Sequence, residues 1–286
     1  MKYLTAFFAG LLVTPFFLAK AETGPDEFAK LEMRTSRIIG VAAVNLATNK
    51  RVEYHAQERF LMCSTFKVLA VAAVLKQVDE KKEKLDRFVP YGEAQLLEYA
   101  PVTRAHVKEG GMTLDALCAA AITQSDNTAA NLLLETIGGP RGWTDFARSL
   151  GDDFSRLDRK EPELNMAGIP GDERDTTMPA AMAKDLQRLL TSDVLSQESR
   201  SRLEGWMVAN ETGSKMIRAS VPGDWRVGDK TGRSGKGASN DIAIVRPPTD
   251  GPIFLAIYVD APRESSEGRD KVVADAAQIA IELLKK

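Results

Sequence analysis

Ser64 and Lys67 stand three residues apart at the start of an apolar run that reaches Leu75. On a helix that spacing puts both side chains on one face, one turn apart. A serine hydroxyl becomes a useful nucleophile only when a neighbouring base takes its proton, and a lysine amine one turn away is in reach to do so. The pair alone is also what an N-cap serine followed by a lysine looks like. Three further stretches change its meaning. Ser125-Asp126-Asn127 offers a second hydroxyl and an amide between two helical segments. Lys230-Thr231-Gly232 offers a second ammonium and hydroxyl at the end of a strand-like run. Glu161-Pro162-Glu163-Leu164-Asn165 places a carboxylate and an amide at i and i+4 in a polar stretch. Each has an ordinary reading as a helix cap, a strand-end turn or a solvated loop. Together, in this order and on these elements, they are hard to dismiss as coincidence.

Such groups need a frame, and the hydrophobic periodicity outlines one. Residues 25–33 read as a short helix with Phe28 and Leu31 on one side, 37–46 as a strand, Thr48-Asn49-Lys50 as a turn, and 51–55 as the hairpin partner. Residues 64–78 are apolar almost all round, the mark of a helix buried in the middle of a domain. Residues 81–101 are polar and irregular, broken by Pro90 and Gly92. Thr113 caps an Ala/Leu-rich helix to 123. Asp126-Asn127 cap another through Leu134, stopped by Gly138-Gly139-Pro140, and 143–150 give a further amphipathic turn or two. Residues 152–176 form a polar loop with Pro162, Gly168, Pro170 and Gly171, and loops of this length are uncommon unless they serve a site. Helices are expected over 177–190, 197–208 and 267–284, and strands over 225–230, 238–245 and 253–259.

Strands at both ends and helices between predict an α+β fold. An antiparallel sheet drawn from both chain ends and flanked by helices forms one lobe (residues 22–62 and 209–286). An all-helical lobe (63–208) carries the loop at about 158–176, and the site lies between the two.

Several function classes are excluded. Residues 1–21 read as a secretory leader. Met1-Lys2 is basic, the stretch through Leu18 is apolar, and Ala19-Lys20-Ala21 fits a small-x-small site, with cleavage expected after Ala21. That run is short for a bilayer span and contains Pro15, and nothing later is long and apolar enough, so a soluble periplasmic chain free of the membrane is expected. The formal net charge of −2, with no long block of like charge, argues against a nucleic-acid partner. The two histidines, His55 and His106, are too few for a histidine-built metal centre and weaken a Ser-His-Asp reading. No metal, no cofactor and a monomer are expected.

The four stretches together resemble the class A serine β-lactamases, over essentially the whole chain after the leader: Ser64-Thr65-Phe66-Lys67, Ser125-Asp126-Asn127, Glu161 to Asn165, and Lys230-Thr231-Gly232. The resemblance implies that the substrate is a small β-lactam. Ser64 attacks its carbonyl, and Lys67 helps deprotonate the serine directly or through Glu161. Ser125 passes a proton to the leaving nitrogen. Asn127 holds the substrate's side-chain amide. Lys230 adds positive charge, Thr231 binds the substrate carboxylate, and Gly232, Arg233 and Ser234 continue the substrate-binding strand. The oxyanion donors implied are the backbone N–H groups of Ser64 and Arg233. Glu161 becomes general base for a deacylating water held with Asn165, Arg159 and Asp175 pair across the loop's neck, and Tyr99 walls the entrance. A cell-wall transpeptidase shares the Ser-x-x-Lys and Lys-Thr-Gly elements but lacks the deacylating carboxylate. A β-lactam sensor would carry membrane helices and a signalling part.

The chain also departs from that family. Members often place an arginine where Ser239 stands, to help hold the substrate carboxylate. Arg233 is unusual in its position, and two readings stay open: it stands in for that charge, or it points to solvent. Cys63 and Cys118 each lack the partner that relatives supply. Two free, buried thiols are expected, with a Cys63–Cys118 bridge as the alternative.

Overall fold

The computed structural model describes residues 24–35, 38–166 and 171–285. The expected leader and its cleavage site lie outside the described residues. Helix α1 (Gly24–Thr35) carries Asp26 and Glu27 in its first turn and Arg34 in its last, the order that suits the helix dipole. Strand β1 (Ile38–Asn45) follows, then β2 (Arg51–Tyr54) and β3 (Phe60–Leu61). A single 3-10 turn, Cys63–Thr65, leads into α2 (Phe66–Asp79). Next come β4 (Phe88–Pro90), α3 (Pro101–His106), β5 (Gly111–Thr113), α4 (Leu114–Thr123), α5 (Asn127–Thr136) and α6 (Gly139–Ser149). After a long loop, β6 (Thr176–Thr177) precedes α7 (Pro179–Thr191) and α8 (Gln197–Val208). The chain closes with β7 (Arg226–Arg233), β8 (Ala238–Arg246), β9 (Ile253–Asp260) and α9 (Ser266–Lys285).

The sheet order is β2-β1-β9-β8-β7, antiparallel throughout, so the first and last strands of the chain meet in one sheet, as expected. Successive side chains of a strand face opposite ways, and β9 uses both faces. Ile253, Leu255, Ile257 and Val259 pack with Phe28 and Leu31 of α1 and Val272, Val273 and Ala276 of α9. Phe254, Ala256 and Tyr258 pack into the larger core around α2. The fold is α+β, a helix-covered antiparallel sheet with the remaining helices gathered around α2. Every residue of α2 from Phe66 to Leu75 is buried. At about 1.5–3 kcal/mol per buried large apolar side chain, this helix is a main contributor to folding.

The differences from expectation are local. The helix expected from Ser64 begins at Phe66, because Cys63 takes a left-handed backbone (φ 46°) and the next residues close only 3-10 bonds. Helix α6 starts four residues early: left-handed Gly138 breaks the chain and Pro140 fits a helical first turn. Strand β7 runs to Arg233, so Lys230-Thr231-Gly232 lies inside a strand rather than at its end. Helix α3 and the pairs β3–β6 and β4–β5 were not expected. Strands of two or three residues carry no period to read.

Candidate active site

The backbone around Ser64 is pinned from several sides. Asn240 on β8 donates from Nδ2 to the carbonyls of Leu61 (2.8 Å) and Met62 (3.2 Å). The Thr65 hydroxyl donates to the Met62 carbonyl (2.8 Å) and lies 3.1 Å from the Tyr258 hydroxyl on β9. Trp143 Nε1 donates to the Phe66 carbonyl at 2.9 Å. Ser64 therefore sits just before the positive end of α2 in a turn that cannot relax easily. Non-glycine residues held at positive φ cost on the order of 1–3 kcal/mol each and gather at functional sites. Both Cys63 and Ser125 (φ 57°) are of this kind.

Two groups converge on the Ser64 hydroxyl, one from a turn along the chain and one from 97 residues away. It accepts from Lys67 Nζ at 2.9 Å and donates to Glu161 Oε1 at 3.1 Å. Lys67 and Glu161 themselves lie 3.2 Å apart, both side chains fully buried. Lys67 Nζ also reaches the Ser125 carbonyl (2.8 Å), Ser125 Oγ (3.3 Å) and Asn127 Oδ1 (2.6 Å). Burial pushes the Lys67 ammonium below its ordinary range, and the Glu161 carboxylate opposes that shift. Lys230 Nζ donates to Ser125 Oγ at 2.9 Å and to the Thr231 carbonyl at 2.8 Å. Its ammonium is pushed well down by burial, with the nearby Lys67 charge adding to the effect. Ser125 Oγ thus stands between two amines whose protons are held loosely, a geometry suited to proton relay.

Asp126 is the structural member of its triplet. Its carboxylate accepts from the Ala129 N–H as cap of α5, and from the N–H groups of Val102 and Thr103 and the Thr103 hydroxyl, all at 2.9–3.0 Å. Tyr99 is half exposed, and its carbonyl accepts from the Asn127 N–H at 3.1 Å.

Glu161 is held as firmly as the serine. Its N–H donates to Asn131 Oδ1 (3.0 Å) and its carbonyl accepts from Asn131 Nδ2 (2.9 Å), while Asn165 Nδ2 donates to Glu161 Oε2 at 2.5 Å. Asn165 Oδ1 is buried and has no protein donor among the described residues. Arg159 Nε meets Asp175 Oδ2 at 2.5 Å across the loop's neck, and Asp175 Oδ1 accepts from the N–H groups of Asp158 and Arg159. The Asp175 carbonyl accepts from the Met62 N–H at 2.9 Å, tying that neck to the segment that carries Ser64.

Strand β7 is the edge of the sheet and lies against the serine. A Cβ added at Gly232 would fall 2.7 Å from the Met62 carbonyl and 3.1 Å from both Cys63 Cβ and Ser64 N, so only glycine allows the approach. The Ser234 N–H pairs inward with the Ala238 carbonyl. Alternation along the strand then turns the Arg233 N–H outward, on the free edge. Ser234 uses its hydroxyl within the β7–β8 turn, accepting from the N–H groups of Lys236 and Ala238. Thr231 Oγ1 lies 2.6 Å from Thr212 Oγ1. The Arg233 side chain turns inward and pairs with Asp270. Ser239 is buried, its hydroxyl 3.3 Å from the same carboxylate. Cys63 and Cys118 are free and buried, and burial pushes both thiols up. Among the described residues no cluster of three or more metal-ligating side chains occurs.

Thr212, Asn131 and Asp270 belong to this constellation without having been singled out. Asn131 and Thr212 carry no local signal beyond their place in a helix and a loop, and Asp270 lies in a helix that reads only as a closing amphipathic stripe.

An α+β fold with a serine touched by both a lysine and a carboxylate defines a serine acyl-transfer hydrolase. Residues 26–284 match the family described as "Beta-lactamase enzyme family". The chain is 44% identical over 272 residues to "Beta-lactamase OXY-2" of Klebsiella oxytoca, covering 95% of this chain and 93% of that one. It is 43% identical over 281 residues to an "Imipenem-hydrolyzing beta-lactamase" of Enterobacter cloacae, covering 97% and 96%. The structure titled "Ancestral (GNCA) Beta-lactamase class A" superposes with a TM-score of 0.88 at 52% identity, covering 91% of this chain and 100% of that one. The chain belongs to the class A serine β-lactamases, hydrolases that open the β-lactam amide bond and so confer resistance to these antibiotics.

Proposed function

We propose that Ser64 attacks the β-lactam carbonyl and that Lys67, Ser125 and Glu161 move the protons that make and break the acyl-enzyme. The observation that carries this is the Ser64 hydroxyl bonded at once to Lys67 Nζ (2.9 Å) and Glu161 Oε1 (3.1 Å). In acylation the serine proton leaves toward the Lys67–Glu161 pair. The oxyanion is met by the N–H groups of Ser64 and Arg233. Ser125, fed by Lys67 and Lys230, delivers a proton to the ring nitrogen as the C–N bond breaks. In deacylation Glu161 takes a proton from a water that attacks the ester, and Ser64 recovers its own. Asn165 supports that water, its Oδ1 being buried and lacking a protein donor. Asn127 and Tyr99 contact the substrate's acyl side chain, while Lys230 and Thr231 bind its carboxylate and Gly232 to Ser234 line the strand beside it.

For this chemistry the chain works as two lobes, residues 22–62 with 209–286 and residues 63–208. The site falls where β7 meets the start of α2, the α4–α5 junction and the loop at about 158–176. It acts as a monomer on a small β-lactam, needs no metal or cofactor, and is delivered to the periplasm with its leader cleaved after Ala21. No helix among the described residues is long and apolar enough to cross a membrane. Steady turnover of a chromogenic cephalosporin by the purified chain is the expected result. A single burst of acylation with no steady state overturns the proposal and favours a transpeptidase.

A further inference from the structure

We infer that Arg233 is a specificity-determining guanidinium for the anionic carboxylate of the substrate, and that Asp270 is the residue that positions it. The inference rests on the hydrolase reading above. Arg233 follows Thr231 by two on an extended strand, so both side chains leave the same face of β7. Among the described residues its guanidinium is held chiefly through Nε and Nη2. Nε donates to Asp270 Oδ1 at 3.2 Å and Nη2 to Asp270 Oδ2 at 2.8 Å, the two-pronged geometry that fixes a planar fork against a carboxylate. Nη2 also donates to the Thr212 carbonyl at 3.3 Å. Nη1 is the nitrogen that reaches Thr231. Among the described residues its one hydrogen bond is a long one, 3.5 Å to Thr231 Oγ1, which in turn lies 2.6 Å from Thr212 Oγ1. The side chain is 31% exposed, whereas the Asp270 side chain is 8% exposed.

A ligand carboxylate that accepts from the Thr231 hydroxyl therefore meets the under-used edge of a guanidinium already oriented for it. No rotamer has to be ordered on binding, because Asp270 has ordered it in the free protein. Asp270 sits in the first turns of α9, which packs on the far face of the sheet, and Ser239 donates to the same carboxylate at 3.3 Å. An anchor in that helix thus sets the position of a charge at the active-site edge. The charge adds to that of Lys230, whose ammonium is engaged with Ser125 and the Thr231 carbonyl.

The test compares a penicillin bearing its free carboxylate with the methyl ester of the same penicillin. The readout is the ratio of kcat/KM for acid over ester, in wild type, Arg233→Ala, Arg233→Lys and Asp270→Asn. A charged hydrogen bond of ordinary strength corresponds to about tenfold or more. Arg233→Ala is expected to lower the ratio by about that factor, mainly through a higher KM for the acid. Arg233→Lys should recover part of it, and Asp270→Asn should lower it by about threefold or more. General damage to the fold or to the oxyanion N–H moves acid and ester together and leaves the ratio unchanged. An unchanged ratio in Arg233→Ala overturns the role of Arg233, and an unchanged ratio in Asp270→Asn overturns that of Asp270. Failure of the wild type to turn over either compound overturns the hydrolase reading itself.

Discussion

At the residue scale the site is a set of shared protons. Lys67 has five acceptors within 3.3 Å for three protons, and Ser64 bridges it to Glu161. Because Lys67 also reaches the serine, the proposed mechanism leaves a base for acylation but none for the water when Glu161 is removed. Glu161→Ala is therefore expected to form the acyl adduct and to lose it about 10²–10⁴-fold more slowly, the usual worth of a general base. Mass spectrometry of the intact protein should show the adduct persisting. Prompt return to free enzyme would mean another group activates the water. Ser64→Ala should give no adduct at all. That these side chains meet was legible in the sequence, because their chemistry and spacing are unusual in combination. Thr212, Asn131 and Asp270 were not, since each acts by meeting a residue 19 to 37 positions away through tertiary packing.

At the element scale the loop's neck keeps Glu161 over the serine. The loop that carries Glu161 is closed by Arg159 and Asp175, and Asp175 is fully buried while accepting two backbone N–H groups besides the guanidinium. Taking one partner from such a pair leaves the other charge poorly satisfied, a loss of about 3–5 kcal/mol for a fully buried case and less here, since Arg159 is partly exposed. Asp175→Ala should lower Tm and slow deacylation more than acylation, because the neck also bonds to Met62, two residues before the serine. Equal loss in both steps, measured by pre-steady-state kinetics, would mean that the neck supports the whole site rather than the base. Gly232→Ala tests the opposite side. Its methyl group would press on the backbone at Met62 and Ser64, so kcat/KM should fall even though no functional group is removed. The long polar loop and the buried helix were legible as elements. The left-handed turn at Cys63 and the extra turn of α6 were not, because each depends on local backbone geometry rather than on a hydrophobic period.

At the scale of the whole molecule a buried carboxyl pair couples stability to pH. Asp152 begins the loop after α6 and Asp185 lies in α7, both buried. Asp152 Oδ1 accepts from the Phe154 and Ser155 N–H groups, but Asp152 Oδ2 and both oxygens of Asp185 accept from no donor group among the described residues. Desolvation first, and then the facing Asp152 carboxylate, push the Asp185 carboxyl up to about 9, with the Lys184 and Arg188 charges opposing weakly. Asp185 is then protonated at neutral pH and can donate to Asp152, so one proton serves two carboxyls. Below about pH 4 the folded and unfolded chains both hold this proton, and the contribution to stability is complete. Between about pH 4 and pH 9 the unfolded chain has released it while the folded chain keeps it, so stability falls as pH rises, levelling off above about 9. Asp185→Asn keeps the shape and supplies an N–H donor without the titration. Its thermal unfolding should depend less on pH than the wild type's, with Tm raised by about 2 °C or more at pH 8, the shift that about 1 kcal/mol produces in a domain of this size. Parallel Tm-against-pH curves for the two proteins would show that Asp185 is ionised in the native state and that the pair shares no proton.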